Sequence, residues 1–238
     1  MWLIFHEILF RFFEKDQLRV KCGNIKLKAK GDRGVKSIIY HPLYDEPKLT
    51  NNIGIIFLEE DYDLVENEIN VACLPTSSSS TEFDPSTCIG TGWGAQFEGI
   101  KKLKILLDKP CWSTSLENYI WFSAINDRQV TLKSIFQPIL DRPTCKEKLD
   151  LKGNLAKSKL CAGGQGQNFC SGDGGGPLVC NLKDDPSRFV QAGIISGNLA
   201  GSDCSENGQP GIFESVTNGL CFIKHAIGCK VHNFNSRL

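Results

Sequence analysis

The sequence predicts an all-β fold of the barrel or sandwich type that ends in a helix. Three observations support this prediction. Short runs rich in β-branched and aromatic residues recur along the 238 residues, 23 glycines punctuate the chain, and helical periodicity is weak until the last stretch. Many short strands joined by tight glycine turns are typical of barrels and sandwiches. Hydrophobic residues make up 41% of the chain, which is enough for a sizeable core.

The strands can be followed along the chain. Five strand-like segments are, in order, LRVKCG, KSIIYH, NIGIIFLEEDY, FVQAGIISG and PGIFESV. A further segment, TLKSIFQPIL, alternates as a strand does, and its Pro138 indicates a bulge or a sheet edge. Near the end, Leu220, Ile223 and Ile227 recur at helical spacing and predict the helix. The serine run at 77–80 is typical of a surface loop.

Composition excludes several classes of function. The 27 basic residues balance the 27 acidic ones, so no basic field indicates nucleic-acid binding. No apolar run is long enough to predict a membrane span. The 11 cysteines are spread out rather than set in C-x-x-C pairs, which argues against zinc and favours disulfides in an oxidising, secreted setting. We therefore expect no metal or other cofactor, and one thiol left unpaired within the chain.

Two segments do not fit the pattern. The N-terminal MWLIFHEILFRFF is apolar, but it lacks the charged start and the cleavage site of an export signal. It is open to interpretation as a strand, a helix or the product of a faulty start, and we favour a missing or altered N-terminus over a cytosolic protein. The stretch Ile100 to Ala124 is basic and then aromatic. It is either an insert that docks on a partner or non-coding sequence read through.

A glycine-rich turn carries the functional signal. In CSGDGGGPLVC, from Cys170 to Cys180, successive glycines allow backbone N–H groups to converge, as an oxyanion hole requires. Alone, the pattern also suits a plain tight loop. Its neighbours are more informative: NNIGIIFLEE, VACLP, TGWG, CAGG, AGIISG and QPGIFESV occur in that order along the chain.

In this order and spacing, the segments closely resemble the trypsin/chymotrypsin-like serine protease family from about Leu18 to Gly228. They are most similar to its non-catalytic arthropod branch, the homologues related to phenoloxidase-activating factors, because of Gly174, VKCGN and LCFIKHAIGC. The resemblance implies two six-stranded antiparallel β-barrels with a C-terminal α-helix and a cleft between the barrels. It divides the chain into an atypical segment at 1–17 and a protease-like domain at 18–238 with the insert at about 100–124. The first barrel is expected to be incomplete, because its opening strands have no match.

The same resemblance locates three degenerate catalytic positions. The nucleophile of G-D-S-G-G-P is Gly174 here, and the acid of the D-I-A-L type strand is Asn52. An amide cannot stabilise an imidazolium as a carboxylate does. No His is followed by Cys, so the A-A-H-C segment that supplies the base is missing, and His41 in YHPLY matches a loop pattern. Losing the serine alone costs roughly 10⁶ in turnover in a related system, so we predict no useful peptide hydrolysis.

Candidate binding residues follow from the resemblance. The primary pocket is set by Asn168, which is not acidic, so a preference for Lys or Arg is not implied; a polar loop residue is the favoured alternative there. The pocket wall, S-W-G in active members, is Ser196, Gly197 and Asn198, so the aromatic wall is gone.

The activation step of the family also lacks a counterpart. In active members a new N-terminal amine pairs with the Asp of the G-D-S motif, which is Asp173 here, after Gly172. This chain has no I-V-G-G type segment to supply the amine. Because a buried unpaired carboxylate is costly, we expect Asp173 to be solvated in a poorly ordered, zymogen-like loop.

The resemblance also implies three disulfides: Cys88–Cys180, Cys145–Cys161 and Cys170–Cys204. It implies further that Cys73 in VACLP often bonds a preceding domain. The cysteines left without an assigned pairing are Cys22, Cys73, Cys111, Cys221 and Cys229.

Three functional hypotheses remain open. The first is a catalytically inactive, secreted regulator or cofactor of a proteolytic cascade such as prophenoloxidase activation, which binds an active protease or zymogen as its protein partner. The second is an active trypsin-like serine endopeptidase, suggested by the fold alone. The third is a fragment or gene-model product with no folded role. The first hypothesis predicts no nucleic-acid or membrane partner.

Overall fold

The computed structural model describes residues 2–5, 14–22, 32–63, 71–77, 82–94, 131–170, 172–197 and 208–228. The stretch Ile100 to Ala124 and most of the serine run lie outside these residues, as do four residues named above: Asn198, Cys111, Cys204 and Cys229. The described part of the chain forms two antiparallel sheets, two α-helices and two short 3-10 helices, Lys15–Gln17 and Pro85–Thr87.

The first sheet has four strands in the order β1-β4-β3-β2. Their bounds are Trp2–Phe5 (β1), Arg19–Lys21 (β2), Asp32–Tyr40 (β3) and Gly54–Leu58 (β4). β1 pairs with β4 over its whole length, from Trp2 opposite Phe57 to Phe5 opposite Gly54. Of the interpretations left open for the N-terminal segment, the strand therefore holds for Trp2–Phe5.

The second sheet has seven strands in the order β6-β5-β9-β10-β11-β8-β7. Their bounds are Ile89–Gly92 (β5), Lys133–Phe136 (β6), Ile139–Leu140 (β7), Lys159–Gly163 (β8), Pro177–Asn181 (β9), Phe189–Gly197 (β10) and Pro210–Ser215 (β11).

The segment TLKSIFQPIL divides between the two edge strands of this sheet. The division falls at Gln137 and Pro138, between β6 and β7. Proline has no N–H to donate to a ladder, and the Gln137 N–H leaves the strand to bond the Cys88 carbonyl at 2.8 Å. Because β6 and β7 are both edge strands, the sheet edge predicted at Pro138 is confirmed, and the segment forms two short strands instead of one.

The two α-helices begin at capped N-termini. In α1 (Arg142–Lys148) the Asp141 side chain accepts the Thr144 N–H at 2.8 Å. In α2 (Val216–Ala226) the Ser215 hydroxyl accepts the Asn218 N–H at 3.3 Å. Such caps satisfy N–H groups that have no partner inside the helix. The predicted C-terminal helix is confirmed, with Leu220 and Ile223 buried.

Helix α2 joins the two sheets. Its Val216, Phe222 and Ile223 pack in one cluster with residues of both sheets: Ile55 of β4, Ile53 just before β4, and Ile194 of β10. Fully burying an aliphatic or aromatic side chain of this size contributes about 1.5–3 kcal/mol. Separate clusters fill the second sheet around Leu178 and Phe213 and the first sheet around Val35 and Ile56. A mostly-β chain with two sheets and a C-terminal helix confirms the predicted fold class.

The cysteines largely follow the expected frame. The Cys88–Cys180 and Cys145–Cys161 disulfides are present, as predicted. Cys170 is also disulfide-bonded; its predicted partner lies outside the described residues. Among the cysteines that the structure describes, Cys22, Cys73 and Cys221 form no disulfide.

Candidate functional site

The glycine-rich turn lies between Cys170 and β9 and is tied to β10 by backbone hydrogen bonds. The Gly175 N–H donates to the Ile195 carbonyl at 2.9 Å, and the Ile195 N–H donates to the Gly176 carbonyl at 2.8 Å. Gly172 and Gly175 have φ values of 97° and 86°, a region that favours glycine. Because the Gly175 N–H donates to the Ile195 carbonyl of β10, this donor is not directed at a cleft. Gly174, at the predicted nucleophile position, has no side chain that could attack a carbonyl.

Asp173 is buried, not solvated. Only 9% of it is exposed, and its carboxylate accepts the Gly94 N–H at 2.7 Å and the Cys170 N–H at 2.9 Å. The expectation of a solvated carboxylate in a poorly ordered loop is therefore wrong. Two backbone donors compensate for the lost water, so the carboxylate is satisfied without an amine partner among the described residues.

The TGWG segment makes room for this carboxylate. A Cβ at Gly92 would lie 1.8 Å from Asp173 Oδ1, and one at Gly94 would lie 2.5 Å from the carboxyl group. Both distances are well inside van der Waals contact. The glycines of TGWG are thus a steric requirement of the buried Asp173.

Asn52, at the predicted acid position, is fully buried just before β4. Its backbone N–H bonds the carboxylate of Glu214, which is only 2% exposed. Glu214 in turn pairs with Lys159, which is 5% exposed; Lys159 Nζ lies 2.8 Å from Glu214 Oε2. An amide at position 52 therefore lies beside a buried ion pair.

This ion pair is strongly desolvated. Burial lowers the pKa of Lys159 and raises the pKa of Glu214, and the charge of each partner opposes the shift of the other. The 2.8 Å contact between opposite charges makes this a buried ion pair. Lys159 Nζ does donate to Ser196 Oγ at 2.7 Å.

The predicted pocket residues lie at two places. Ser196 and Gly197 end β10, directly after Ile195, which bonds the glycine-rich turn. The end of β10 thus links the turn of Gly174 to the Lys159–Glu214 pair. Asn198 lies outside the described residues.

Asn168 is held in its own loop. Its Nδ2 donates to the Gln209 carbonyl at 3.3 Å, and its Oδ1 accepts the Phe169 N–H at 2.8 Å. Asn168 Oδ1 lies 2.7 Å from where a Cβ of Gly211 would be. This side chain therefore presents a neutral amide beside β11, with both of its polar atoms already bonded.

His41 is a loop residue that follows β3. Its Nδ1 accepts the Leu43 N–H at 3.1 Å, and its ring centroid lies 4.7 Å from that of Phe222 in α2. Burial lowers the pKa of this half-buried imidazole. The side chain is thus engaged in packing and a backbone hydrogen bond, in line with the loop pattern of YHPLY.

A cavity of about 330 Å³ opens beside the ion pair. Its lining includes apolar Leu49, Leu155 and Ile212, with Lys159 and Ser196. Within the described ranges, no group of three or more His, Cys, Asp or Glu side chains is placed to hold a metal ion. No helix in this part of the chain is long and apolar enough to cross a membrane.

Sequence reasoning missed Lys159 and Glu214. A signal was present, since each is a charged residue at one end of an apolar strand segment, in SKLCAGG and PGIFESV. Charged residues are almost never fully buried unless paired, but only PGIFESV was predicted as a strand, so the sequence did not indicate Lys159 as the partner of Glu214.

The sequence of the chain is similar to one protein family and to several known proteins. The family model described as Trypsin matches residues 12–108 and 106–223. Phenoloxidase-activating factor 2 of Galleria mellonella is 31% identical over 193 residues, covering 79% of this chain and 54% of the relative. Inactive CLIP domain-containing serine protease A8 of Anopheles gambiae is 29% identical, covering 81% and 45%. Trypsin-4 of Rattus norvegicus is 27% identical, covering 90% and 72%. The chain spans about half the length of the first two of these relatives.

Proposed function

The chain belongs to the trypsin family, and on this premise we propose that it is a catalytically inactive member acting as a secreted regulator or cofactor of a proteolytic cascade such as prophenoloxidase activation. The observation that carries the proposal is Gly174: the position of the family's nucleophile has no side chain. Without a nucleophile, covalent acyl transfer has no first step.

A second position supports the proposal independently. An active member needs a carboxylate at position 52 to orient and stabilise its histidine. Asn52 is an amide, and it is fully buried beside the Lys159–Glu214 pair. Restoring Ser at position 174 would therefore leave the acid still missing.

The regulatory role is supported by the names of two relatives, a phenoloxidase-activating factor and an inactive CLIP domain-containing protease. We infer a protein partner of the same cascade, an active protease or its zymogen. The partner would contact the cleft face around the glycine-rich turn, Asn168 and the end of β10. The proposal includes no cofactor, nucleic acid or membrane partner. The Cys88–Cys180 and Cys145–Cys161 disulfides and the disulfide-bonded Cys170 suit an extracellular setting.

The catalytic part is tested with the native chain and with Gly174→Ser. Trypsin, chymotrypsin and elastase substrates and a serine-directed phosphonate are offered to both, with an active trypsin-family enzyme as the positive control. We expect neither turnover above buffer nor covalent label in either protein. Gly153→Ser, at an exposed glycine with open space around it, is the matched substitution control. Label on the native chain would establish the active endopeptidase instead.

The regulatory part is tested by adding the native chain to a reconstituted zymogen and phenoloxidase-precursor mixture. We expect a dose-dependent change in the rate at which the cascade enzyme appears. An unchanged rate at saturating chain, together with no binding to any component, would remove the regulatory proposal while leaving the catalytic result standing.

A further inference from the structure

The Lys159–Glu214 pair lies where the two sheets meet. Lys159 and Glu214 are register partners on β8 and β11 of the second sheet. Asn52, just before β4 of the first sheet, donates its backbone N–H to the Glu214 carboxylate. One carboxylate thus bonds a residue of each sheet.

Ser158 makes a second connection at the same place. Its hydroxyl bonds the Glu214 carboxylate and accepts the Asn51 N–H at 3.3 Å. Its carbonyl accepts the Ser215 N–H at 2.7 Å. Successive backbone N–H groups at positions 51 and 52 are therefore both bound by a cluster that belongs to the second sheet.

The charge count of this cluster is balanced. It holds one ammonium and one carboxylate, both nearly removed from water, and the neutral Asn52 is fully buried next to them. A second carboxylate at position 52 would lie near Glu214, because the backbone N–H of this residue bonds that carboxylate. Like charges that share a site disfavour each other strongly. A lone buried charge is also strongly destabilising.

We infer that the Lys159–Glu214 pair is a buried charged tie between the two sheets that holds position 52 in its amide form. The site has one negative charge for its one ammonium, so an aspartate at position 52 is tolerated only when Glu214 loses its charge. The inference uses the family's acid position but not the regulatory role, and it adds a barrier to recovered catalysis besides Gly174.

The test moves the negative charge from position 214 to position 52 and measures the folding equilibrium constant of each variant. The full chain and three variants, Asn52→Asp, Glu214→Gln and the double variant, are unfolded in urea. Asn52→Asp alone should lower the folding equilibrium constant at least about ten-fold, because it adds an uncompensated buried charge. In the Glu214→Gln background the same change should raise it at least about ten-fold, because the introduced carboxylate then neutralises Lys159.

The control is Gln165→Glu, which changes an amide to a carboxylate at an exposed position in the loop after β8. Gln165→Glu should change the folding equilibrium constant less than about two-fold in both the native and the Glu214→Gln backgrounds. If Glu214→Gln does not fold, recovery of folded protein on adding Asn52→Asp gives the same support. Equal stability of Asn52→Asp and the native chain would overturn the inference, as would a double variant no more stable than, or as unfolded as, Glu214→Gln. The readout needs no activity assay, so its outcome is separate from that of the labelling experiment.

Discussion

Two buried carboxylates near the predicted catalytic positions are stabilised in opposite ways. Asp173 accepts two backbone N–H groups, from Gly94 and Cys170, and pairs with no cation in the described part of the chain. Glu214 lies against the ammonium of Lys159, with backbone and hydroxyl donors from Asn52 and Ser158. The first solution uses only local backbone geometry, whereas the second requires another ionised side chain.

The two carboxylates are therefore sensitive to different substitutions. Backbone donors are present whatever the neighbouring side chains are, so Asp173 depends chiefly on small residues that leave it space, Gly92 and Gly94. An ion pair depends on both members, because removing one leaves the other charged and buried. Three predictions sharpen this comparison.

The largest effect is expected for the ion pair. Lys159→Met or Glu214→Leu alone should lower the free energy of unfolding by about 3–5 kcal/mol, because a buried charge loses its partner. The two substitutions together should be neutral or stabilising by about 1–4 kcal/mol. Urea denaturation of the full chain measures all three, with Lys157→Met at an exposed neighbouring position as the control. Additive losses in the double variant would contradict the coupling.

A smaller loss is expected at Asp173. In Asp173→Asn one carboxylate oxygen becomes an NH₂ group, which cannot accept the N–H of Gly94 or Cys170. A buried donor left without an acceptor costs about 1–3 kcal/mol. The same urea measurement applies, and Asp184→Asn, at an exposed aspartate, should change little. A loss as large as that of the single ion-pair variants would show that Asp173 also depends on a charged partner.

The smallest effect is a dependence on pH. The pKa of Glu214 is raised above its ordinary 4.5 by burial, so its contribution to stability is full below pH 4.5 and is lost as the pH rises through the raised value. The pKa of Lys159 is lowered from 10.5, so its contribution is full above pH 10.5 and is lost as the pH falls through the lowered value. Burial of Lys159 and Glu214 therefore lowers the free energy of unfolding of the native chain most at intermediate pH, where neither contribution is present.

The double variant Lys159→Met/Glu214→Leu has neither group, so it isolates this penalty. Its free energy of unfolding, minus that of the native chain, should be largest near neutral pH and should shrink toward both ends. Urea denaturation at a series of pH values measures this difference. As the control, the free energy of unfolding of Lys157→Met minus that of the native chain should not change through neutral pH. A difference that grows steadily in one direction would contradict the assignment of both shifts to the pair.

Much of the fold was accessible from the sequence, because strand runs, glycine turns and a late helical repeat are local signals. The sheet edge at Pro138 was predicted correctly for the same reason, because the missing N–H of proline is a local signal. The burial of Asp173 was not accessible, because its donors come partly from Gly94, a distant segment whose approach depends on tertiary packing. Lys159 and Glu214 were missed because their partnership arises from the register of two strands, which residue patterns alone do not specify.

The position of α2 has a consequence for how the chain assembles during synthesis. Ile53, just before β4, and Ile55 in β4 pack against Val216 and Phe222 of the helix, far along the chain. A nascent chain that has exposed only its first sheet therefore presents an unfilled apolar face until α2 leaves the ribosome. Contacts of such large sequence separation slow folding and prolong the exposure of apolar surface. Until then, the apolar face of the first sheet around Ile53 and Ile55 is open to contacts with other apolar surfaces.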